Sequence, residues 1–322
     1  MSSRRAPGSA SAALLILGLA SALPGCGADA KAKGARAHGP VPAIDRRVDP
    51  AEIFPADLDL VVRLDVARMR SSIGPAAATA IAARAAREAG DDVLRAALAC
   101  ADVVWLGARI ADLDAGDHVV LVEGAGCAPE LDRGQWRPEP SRNKSVKIFD
   151  RVDPTRRTGT ARVVVLGEQA TAFVSPMEVD SITRILADGP DPRRGNPVAE
   201  GVVSLDVRAA RLPPALEQKF PSIAAIIGGL ERVRGTAVVV DEGVQIDVQI
   251  LSPTARGAEK ALRFLSALRD NVEDPRVALV LRKVSIEQIE GTVRIRLLLP
   301  GKVVLLLLSG VAEPPPPSAG GR

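Results

Sequence analysis

Apolar residues along this 322-residue chain follow two different spacings. Between Val244 and Ile250 every second residue is apolar and the residues between them are polar. A period of two places the apolar side chains on one face of a β-strand and the polar ones on the other. Between Leu216 and Leu230 the apolar residues instead lie three and four positions apart, the spacing of a helix with one buried face. The pattern therefore predicts mixed α and β structure.

Two six-residue runs match each other, Val61–Val66 (VVRLDV) and Val202–Val207 (VVSLDV). Both have the composition of a strand, and each is followed by a helical region and then by a predicted hairpin. The hairpins span residues 102–124 and 235–251. We predict an α+β fold of two similar halves, in which each half is a mainly antiparallel sheet with helices packed on one face.

Further elements follow from the same patterns. Ser175-Pro176-Met177-Glu178 combines a capping box with proline in the first turn, and so predicts the start of a helix. The apolar segment Val303–Leu308 fits either a helix or a buried strand, but it is too short to cross a bilayer. The remaining predicted elements are strands at 146–149, 162–166, 170–174, 284–290 and 292–299, and a helix around 258–268.

The amino terminus has the organisation of an export signal. Arg4 and Arg5 precede the apolar segment Ala12–Leu23. This segment is too short to cross about 30 Å of hydrocarbon as a helix. We therefore expect it to direct export and to be removed by cleavage.

The residues at the end of that segment, Leu23-Pro24-Gly25-Cys26, resemble the lipobox of bacterial lipoproteins. The resemblance implies that Cys26 becomes the lipidated first residue of the mature chain, and that the signal peptidase recognises Leu23 and Gly25. A thiolate is the nucleophile that such acylation requires, and two or more acyl chains anchor a protein stably. Gly27 follows the cysteine, and the resemblance then favours the outer membrane. The alternative is an ordinary secretory signal with a coincidental cysteine.

Composition divides the chain into five segments. Residues 27–50 are rich in Ala, Gly, Lys and Pro without a hydrophobic period, which is typical of a flexible tether. The proline-rich end of the chain is typical of a disordered tail. We predict a signal peptide, a tether, a first and a second α+β repeat, and a tail, with the bounds 1–25, 26–50, 51–195, 196–312 and 313–322.

Composition also excludes several classes of function. The 42 Lys and Arg residues are nearly balanced by 39 Asp and Glu, and only 2% of residues are aromatic. Nucleic-acid binding needs clustered positive charge or aromatic stacking platforms, so we expect no nucleic-acid partner. The chain has two histidines, His38 and His118, and lacks the HExxH, CxxC, GxSxG and P-loop motifs. We therefore expect no metal, no cofactor and no enzymatic activity.

Two groups of acidic residues are candidates for a site. Asp65 and Asp206 occupy equivalent positions in the two matched runs. They form either a carboxylate pair or, as we expect, separate structural sites that bond backbone N–H groups where a strand ends. A second group has the spacing of a calcium loop: Asp112, Asp114, Asp117 and Glu123. It lacks the glycine and the flanking helices of such a loop, so we predict a solvated hairpin turn.

The remaining cysteines, Cys100 and Cys127, are candidates for a disulfide. If Ile110 pairs with Asp117 across the 102–124 hairpin, the two cysteines lie opposite each other at its open end. Export to an oxidising compartment favours the bond. Two free thiols, or a hairpin register displaced by one residue, are the alternatives.

Together these patterns predict an exported lipoprotein, anchored to the bacterial outer membrane through Cys26, that acts as a non-enzymatic binding or scaffold module with an envelope protein as partner. A scaffold requires filled cores and an exposed apolar or charged patch. The alternative is a carrier of apolar, lipid-like ligands, which requires a large apolar cavity between sheet and helices. An enzyme is the third hypothesis, and it requires clustered acids in a cleft, with Asp65 and Asp206 close together.

Overall fold

The computed structural model describes the following residues: 48–75, 78, 91–110, 117–153, 159–190, 199–208, 217–218, 221–272, 278 and 280–301. The predicted signal peptide, most of the tether, and the tail therefore lie outside the described residues. So do Leu23, Gly25, Cys26 and the segment Val303–Leu308. None of the described helices is long and apolar enough to cross a membrane.

Twelve strands and five α-helices are formed by the described residues. The strands are β1 Leu60–Asp65, β2 Val103–Ala108, β3 His118–Glu123, β4 Trp136–Glu139, β5 Val146–Arg151, β6 Arg162–Leu166, β7 Ala170–Val174, β8 Val203–Arg208, β9 Arg232–Val240, β10 Gly243–Leu251, β11 Ser285–Ile289 and β12 Thr292–Pro300. The helices are α1 Val66–Ser72, α2 Asp92–Cys100, α3 Val179–Asp188, α4 Pro221–Ile227 and α5 Ala255–Asp270. Two 3-10 turns, Pro50–Ile53 and Pro176–Glu178, precede β1 and α3. β4 is the strand that the hydrophobic pattern did not predict.

The twelve described strands belong to one antiparallel sheet, in the order β11-β12-β10-β9-β8-β1-β2-β3-β7-β6-β5-β4. β1 and β8 pair directly, from Leu60 opposite Val207 to Leu64 opposite Val203. A single continuous sheet therefore replaces the two predicted sheets. The alternation of a strand specifies the face of each side chain but not which strand lies alongside, so the pattern did not reveal this pairing.

Helices cover both faces of β1–β7, in contrast to the prediction of helices on one face. α3 contributes Ile182 to one core, together with Phe54 from the segment before β1. α2 contributes Leu94 and Leu98 to a second core on the opposite face. The central strands explain the difference, because all five residues of β7 are buried. A strand that is apolar on both faces needs cover on both.

The described helices cover β9–β12 on one face. α5 packs there, with Ala258 and Ala261 in a core that also contains Ile250 and Val293. The opposite face carries the polar residues of the alternating strands, and no described helix lies over it. This one-sided cover agrees with the sequence pattern of β10.

Candidate functional site

Four charged side chains meet where the β2–β3 hairpin contacts the 3-10 turn before α3. Arg109 directly follows β2, and Asp117 directly precedes β3. Glu178 is the last residue of the turn Pro176–Glu178, and Asp57 lies in the segment before β1. We call these four residues the acid–arginine cluster.

Arg109 is the centre of the cluster. Its Nη1 atom lies 3.0 Å from Asp117 Oδ2 and 2.8 Å from Glu178 Oε1. Its Nη2 atom lies 2.5 Å from Asp57 Oδ2. One positive charge thus contacts three carboxylates, so the cluster has an excess of negative charge when all of them are ionised. Such an excess is costly in a buried position, because little water is present to screen it.

Backbone and hydroxyl hydrogen bonds hold the turn against the hairpin. The Ser175 N–H donates to the His118 carbonyl oxygen at 3.0 Å, and the His118 N–H donates to Ser175 Oγ at 3.1 Å. The predicted capping box is therefore wrong: Ser175 Oγ binds across to β3 and makes no capping hydrogen bond to the helix that follows. The Glu178 carboxylate points toward Arg109 instead.

Glu178 is the most deeply buried member of the cluster. Its side chain is 0% exposed, compared with 3% for Asp117, and neither of its carboxylate oxygens accepts a hydrogen bond from the described residues. Burial, followed by the negative charge of Asp117, raises the pKa of Glu178 from 4.5 to about 7, although Arg109 opposes the shift. Glu178 is therefore partly protonated near neutral pH.

A carboxyl group that titrates near neutral pH has the pKa of a general acid or base. Catalysis also requires a cavity that brings a substrate to that group. The cluster does not line the two cavities described below. Its buried carboxyl group can take up and release a proton near neutral pH.

The two cavities also bear on the carrier hypothesis. One, of about 120 Å³, lies between the turn Pro50–Ile53 and the end of α3, and it has room for only a few methylene groups. The other, of about 340 Å³, is a groove open to solvent along β4 and β5, lined in part by Lys144 and Lys147. Neither is the enclosed apolar chamber between sheet and helices that a carrier requires.

Asp65 lies where β1 ends and α1 begins. Its Oδ1 atom accepts a hydrogen bond from the Arg68 N–H at 2.8 Å, which caps the helix. Its Oδ2 atom lies 2.9 Å from Arg63 Nη2. The carboxylate thus satisfies an N–H group that the first turn of a helix cannot bond by itself, which is a structural role.

Asp206 differs from Asp65, and this corrects the expectation that both carboxylates bond backbone N–H groups at the end of a strand. Asp206 lies inside β8 and accepts hydrogen bonds from Nε and Nη2 of Arg232 on β9. Across the β1–β8 pair, Asp206 lies opposite Val61. Asp65 lies four residues beyond Val61, which corresponds to about 13 Å along β1. The structure therefore does not bring the two acids together as a pair.

Cys100 and Cys127 form a disulfide, with their Cα atoms 5.7 Å apart. The hairpin register differs by one residue from the one we expected, because Ala108 pairs with His118. Cys100 ends α2 instead of extending the strand ladder, and Cys127 follows a turn at Gly126, whose φ of 76° favours glycine. A helix end and a turn therefore bring the cysteines together.

The residues with the spacing of a calcium loop are dispersed. Asp117 belongs to the acid–arginine cluster, whereas the Glu123 carboxylate accepts a hydrogen bond from Trp105 Nε1 at 2.6 Å. Asp112 and Asp114 lie outside the described residues. Among the residues that the structure does describe, no three His, Cys, Asp or Glu side chains are grouped so as to hold a metal ion.

Three members of the cluster, Asp57, Arg109 and Glu178, are not among the site residues predicted from the sequence. A local signal for Glu178 does exist. Glu178 lies four residues before Ile182, which places both on one helical face, and that face is buried because Ile182 is 0% exposed. No comparable signal exists for Asp57 or Arg109, since their contacts join distant parts of the chain.

Known proteins resemble this chain only distantly, and only in structure. No protein-family model matches the sequence, and no curated protein matches it. Among solved structures, crystal form I of TP0453 is similar, with 11% sequence identity and a TM-score of 0.46, over 83% of this chain and 98% of that one. Crystal form III of TP0453 has 12% identity and a TM-score of 0.44 over 81% and 98% of the two chains. At this level of similarity no property of TP0453 transfers to this protein.

Proposed function

We propose that this protein is an exported lipoprotein of the bacterial outer membrane that acts, without enzymatic activity, as a binding module for an acidic envelope protein. The observation that carries the proposal is a charged, partly exposed face of the sheet on β8–β12, which we call the arginine face. It continues the face that α3 covers over β1–β7, and no described helix packs on it.

The arginine face carries more positive than negative charge. Strand alternation and pairing place eight charged residues on this side of the sheet. The arginines are Arg208, Arg232, Arg234, Arg294 and Arg296, and the acids are Asp206, Asp247 and Glu287. Complementary charge steers partners together and selects against partners of like charge, so this face favours an acidic surface.

Ion pairs within the face hold some of its arginines in position. Asp247 accepts hydrogen bonds from Arg294 and lies 3.4 Å from Nε of Arg296. Arg234 is exposed and makes no ion pair with the described residues. A guanidinium group has five donors, so a paired arginine retains N–H groups for a carboxylate of the partner. The face thus combines guanidinium groups oriented by ion pairs with that of Arg234, which no described acid pairs.

Site-specific cross-linking in cells tests whether the arginine face meets a partner. One variant carries a photo-reactive amino acid in place of Arg234, and a matched variant carries it in place of Arg263, an exposed residue of α5. We expect one acidic envelope protein to be cross-linked from position 234 and not from position 263. Equal cross-linking from both positions would contradict the proposed face.

Charge reversal then measures the contribution of the face to binding of the cross-linked protein in purified form. Arg234→Glu should weaken binding about tenfold, equivalent to about 1.4 kcal/mol, and raised salt should weaken binding of the unmodified protein. Arg263→Glu makes the same change in charge away from the face and should have little effect. If the two reversals act equally, the attraction is a property of net charge and the proposal fails.

The lipid anchor is proposed from the lipobox resemblance of Leu23, Gly25 and Cys26. Mass spectrometry of the protein extracted from membranes in mild detergent should give a chain that begins at Cys26 and carries acyl chains. Cys26→Ser should leave the protein without acyl chains and free of the membrane fraction. An unmodified amino terminus on the membrane-extracted protein would refute the anchor.

We also propose that the folded part is a duplicated unit. The support is the way in which the two matched runs pair: Arg63 lies opposite Ser204, its own equivalent in the second run. Two copies related by a local twofold axis pair in this manner. The strand order agrees, because β1-β2-β3-β7-β6 on one side of this axis corresponds to β8-β9-β10-β12-β11 on the other.

A further inference from the structure

We infer that the acid–arginine cluster is a proton-operated latch. When Glu178 is protonated, the cluster holds the turn Pro176–Glu178 and α3 against the β2–β3 hairpin. Ionisation of Glu178 weakens this contact. This inference concerns regulation of the fold and does not depend on the arginine face.

The geometry of the contacts makes the cluster sensitive to one proton. Asp117 and Glu178 each place an oxygen within 3.0 Å of the same nitrogen of Arg109. With Glu178 protonated, the buried site contains a neutral acid, one carboxylate and one guanidinium. With Glu178 ionised, two buried carboxylates share a guanidinium that also pairs with Asp57. Repulsion between the two carboxylates, and the cost of keeping both out of water, then favour exposure of the turn.

Among the described residues, the charged groups that act on Glu178 are Arg109 after β2, Asp117 before β3 and Asp57 before β1. His118 on β3 is also titratable and its backbone binds Ser175, but strand alternation places its side chain on the opposite face of the sheet, with Val120. On α3 itself, Asp180 is exposed to solvent. Glu52, on the turn Pro50–Ile53, lines the cavity at the other end of α3. Of the described charged groups, those of the cluster are therefore the ones that act on the titration of Glu178.

The segment held by the latch covers a core. Ile182 of α3 is 0% exposed and belongs to the same apolar cluster as Phe54 and Leu121. Loosening of the turn at the start of α3 therefore weakens the cover over this face of the sheet. Local opening of this kind is measurable by hydrogen exchange.

Proton linkage sets the direction of the response. The pKa of Glu178 is about 7 in the folded protein, against 4.5 for an ordinary glutamate. In the closed state, the turn Pro176–Glu178 is held against the hairpin. Protonation of Glu178 stabilises this state fully below pH 4.5, and the stabilisation is lost as the pH rises to about 7. Between about pH 6 and about pH 8, the ratio of open to closed latch should increase about tenfold.

Hydrogen–deuterium exchange of the mature protein tests the latch. Exchange at pH ~6 and pH ~8 is compared after correction for the intrinsic effect of pH on amide exchange. In the unmodified protein, protection of residues 176–188 should fall about tenfold from the lower to the higher pH. Glu178→Gln should abolish this difference, and Glu168→Gln, at an exposed turn between β6 and β7, should retain it.

A second variant keeps the test decisive if Glu178→Gln does not fold. Asp117→Asn removes a negative charge that raises the pKa of Glu178, so the loss of protection should move to lower pH. An unchanged pH dependence in both variants would overturn the latch. A loss of protection spread evenly over all twelve strands would also overturn it, because it would show global destabilisation instead of local opening.

Discussion

At the scale of single residues, the surroundings of a side chain decide its role. Asp65 and Asp206 hold the same place in two matched runs, yet Asp65 caps a helix and Asp206 binds Arg232 within the sheet. Glu178 and Asp57 are both acids of one cluster, yet one is fully buried and the other mostly exposed. Residue type alone therefore does not specify function in this protein.

Gly107 is a residue at which a single methyl group should have a clear effect. A Cβ atom there would lie 2.6 Å from Phe54 Cδ1 and 2.8 Å from Leu58 Cδ1, and both side chains are buried. Gly107→Ala should therefore destabilise the fold by about 1–3 kcal/mol in urea unfolding. Gly235→Ala is the matched control on β9, because its nearest contact would be an ordinary 3.5 Å to Leu205 Cβ. Equal stability of the two variants would contradict the packing of Phe54 over β2.

At the scale of elements, local patterns predict strands better than they predict contacts. The alternation from Val244 to Ile250 correctly predicted β10 and its buried face, since an alternating strand encodes its face locally. The pattern of Ser175 and Glu178 predicted a capping box that does not form. His118 on β3 bonds the serine hydroxyl instead, and that partner is distant in sequence.

The disulfide is the element-scale feature whose contribution is easiest to measure. It joins the end of α2 to the turn after β3, with a sequence separation of 27. Closure of such a loop lowers the entropy of the unfolded chain, so the bond should stabilise the fold by about 3 kcal/mol. Cys100→Ser combined with Cys127→Ser should lower the midpoint of urea unfolding. A reducing agent should also lower the midpoint of the unmodified protein and should leave that of the double variant unchanged. A double variant as stable as the oxidised protein would refute the estimate of loop entropy.

At the scale of the whole molecule, the pairing of β1 with β8 unites the two predicted halves. The described strands form one sheet, with helices on both faces of β1–β7 and on one face of β9–β12. In the part of the chain that the structure describes, this unequal cover leaves no helix over the arginine face. The uncovered surface is thus a consequence of how helices are distributed over the sheet, not of any one strand.

Continuity of the sheet predicts cooperative unfolding. Trp105 and Trp136 lie on β2 and β4, so their fluorescence reports on β1–β7, whereas far-ultraviolet circular dichroism reports on the whole chain. We expect the two signals to coincide during urea unfolding. Leu205→Pro on β8 should lower the fluorescence midpoint, because proline removes a ladder hydrogen bond from the central strand that pairs with β1. Ile289→Pro on the edge strand β11 should lower that midpoint less, because β11 pairs with only one neighbouring strand. Two separate transitions in the unmodified protein would show that the parts unfold independently.

The sequence by itself determined most strands and helices and the faces of the alternating strands. These features depend on residues close together along the chain, where periodicity and turn chemistry act directly. Only the tertiary structure decided that β1 lies beside β8 and that Asp57, Arg109, Asp117 and Glu178 form one cluster. Such contacts join residues far apart in the chain, and their energy comes from shared burial and charge that no local pattern encodes.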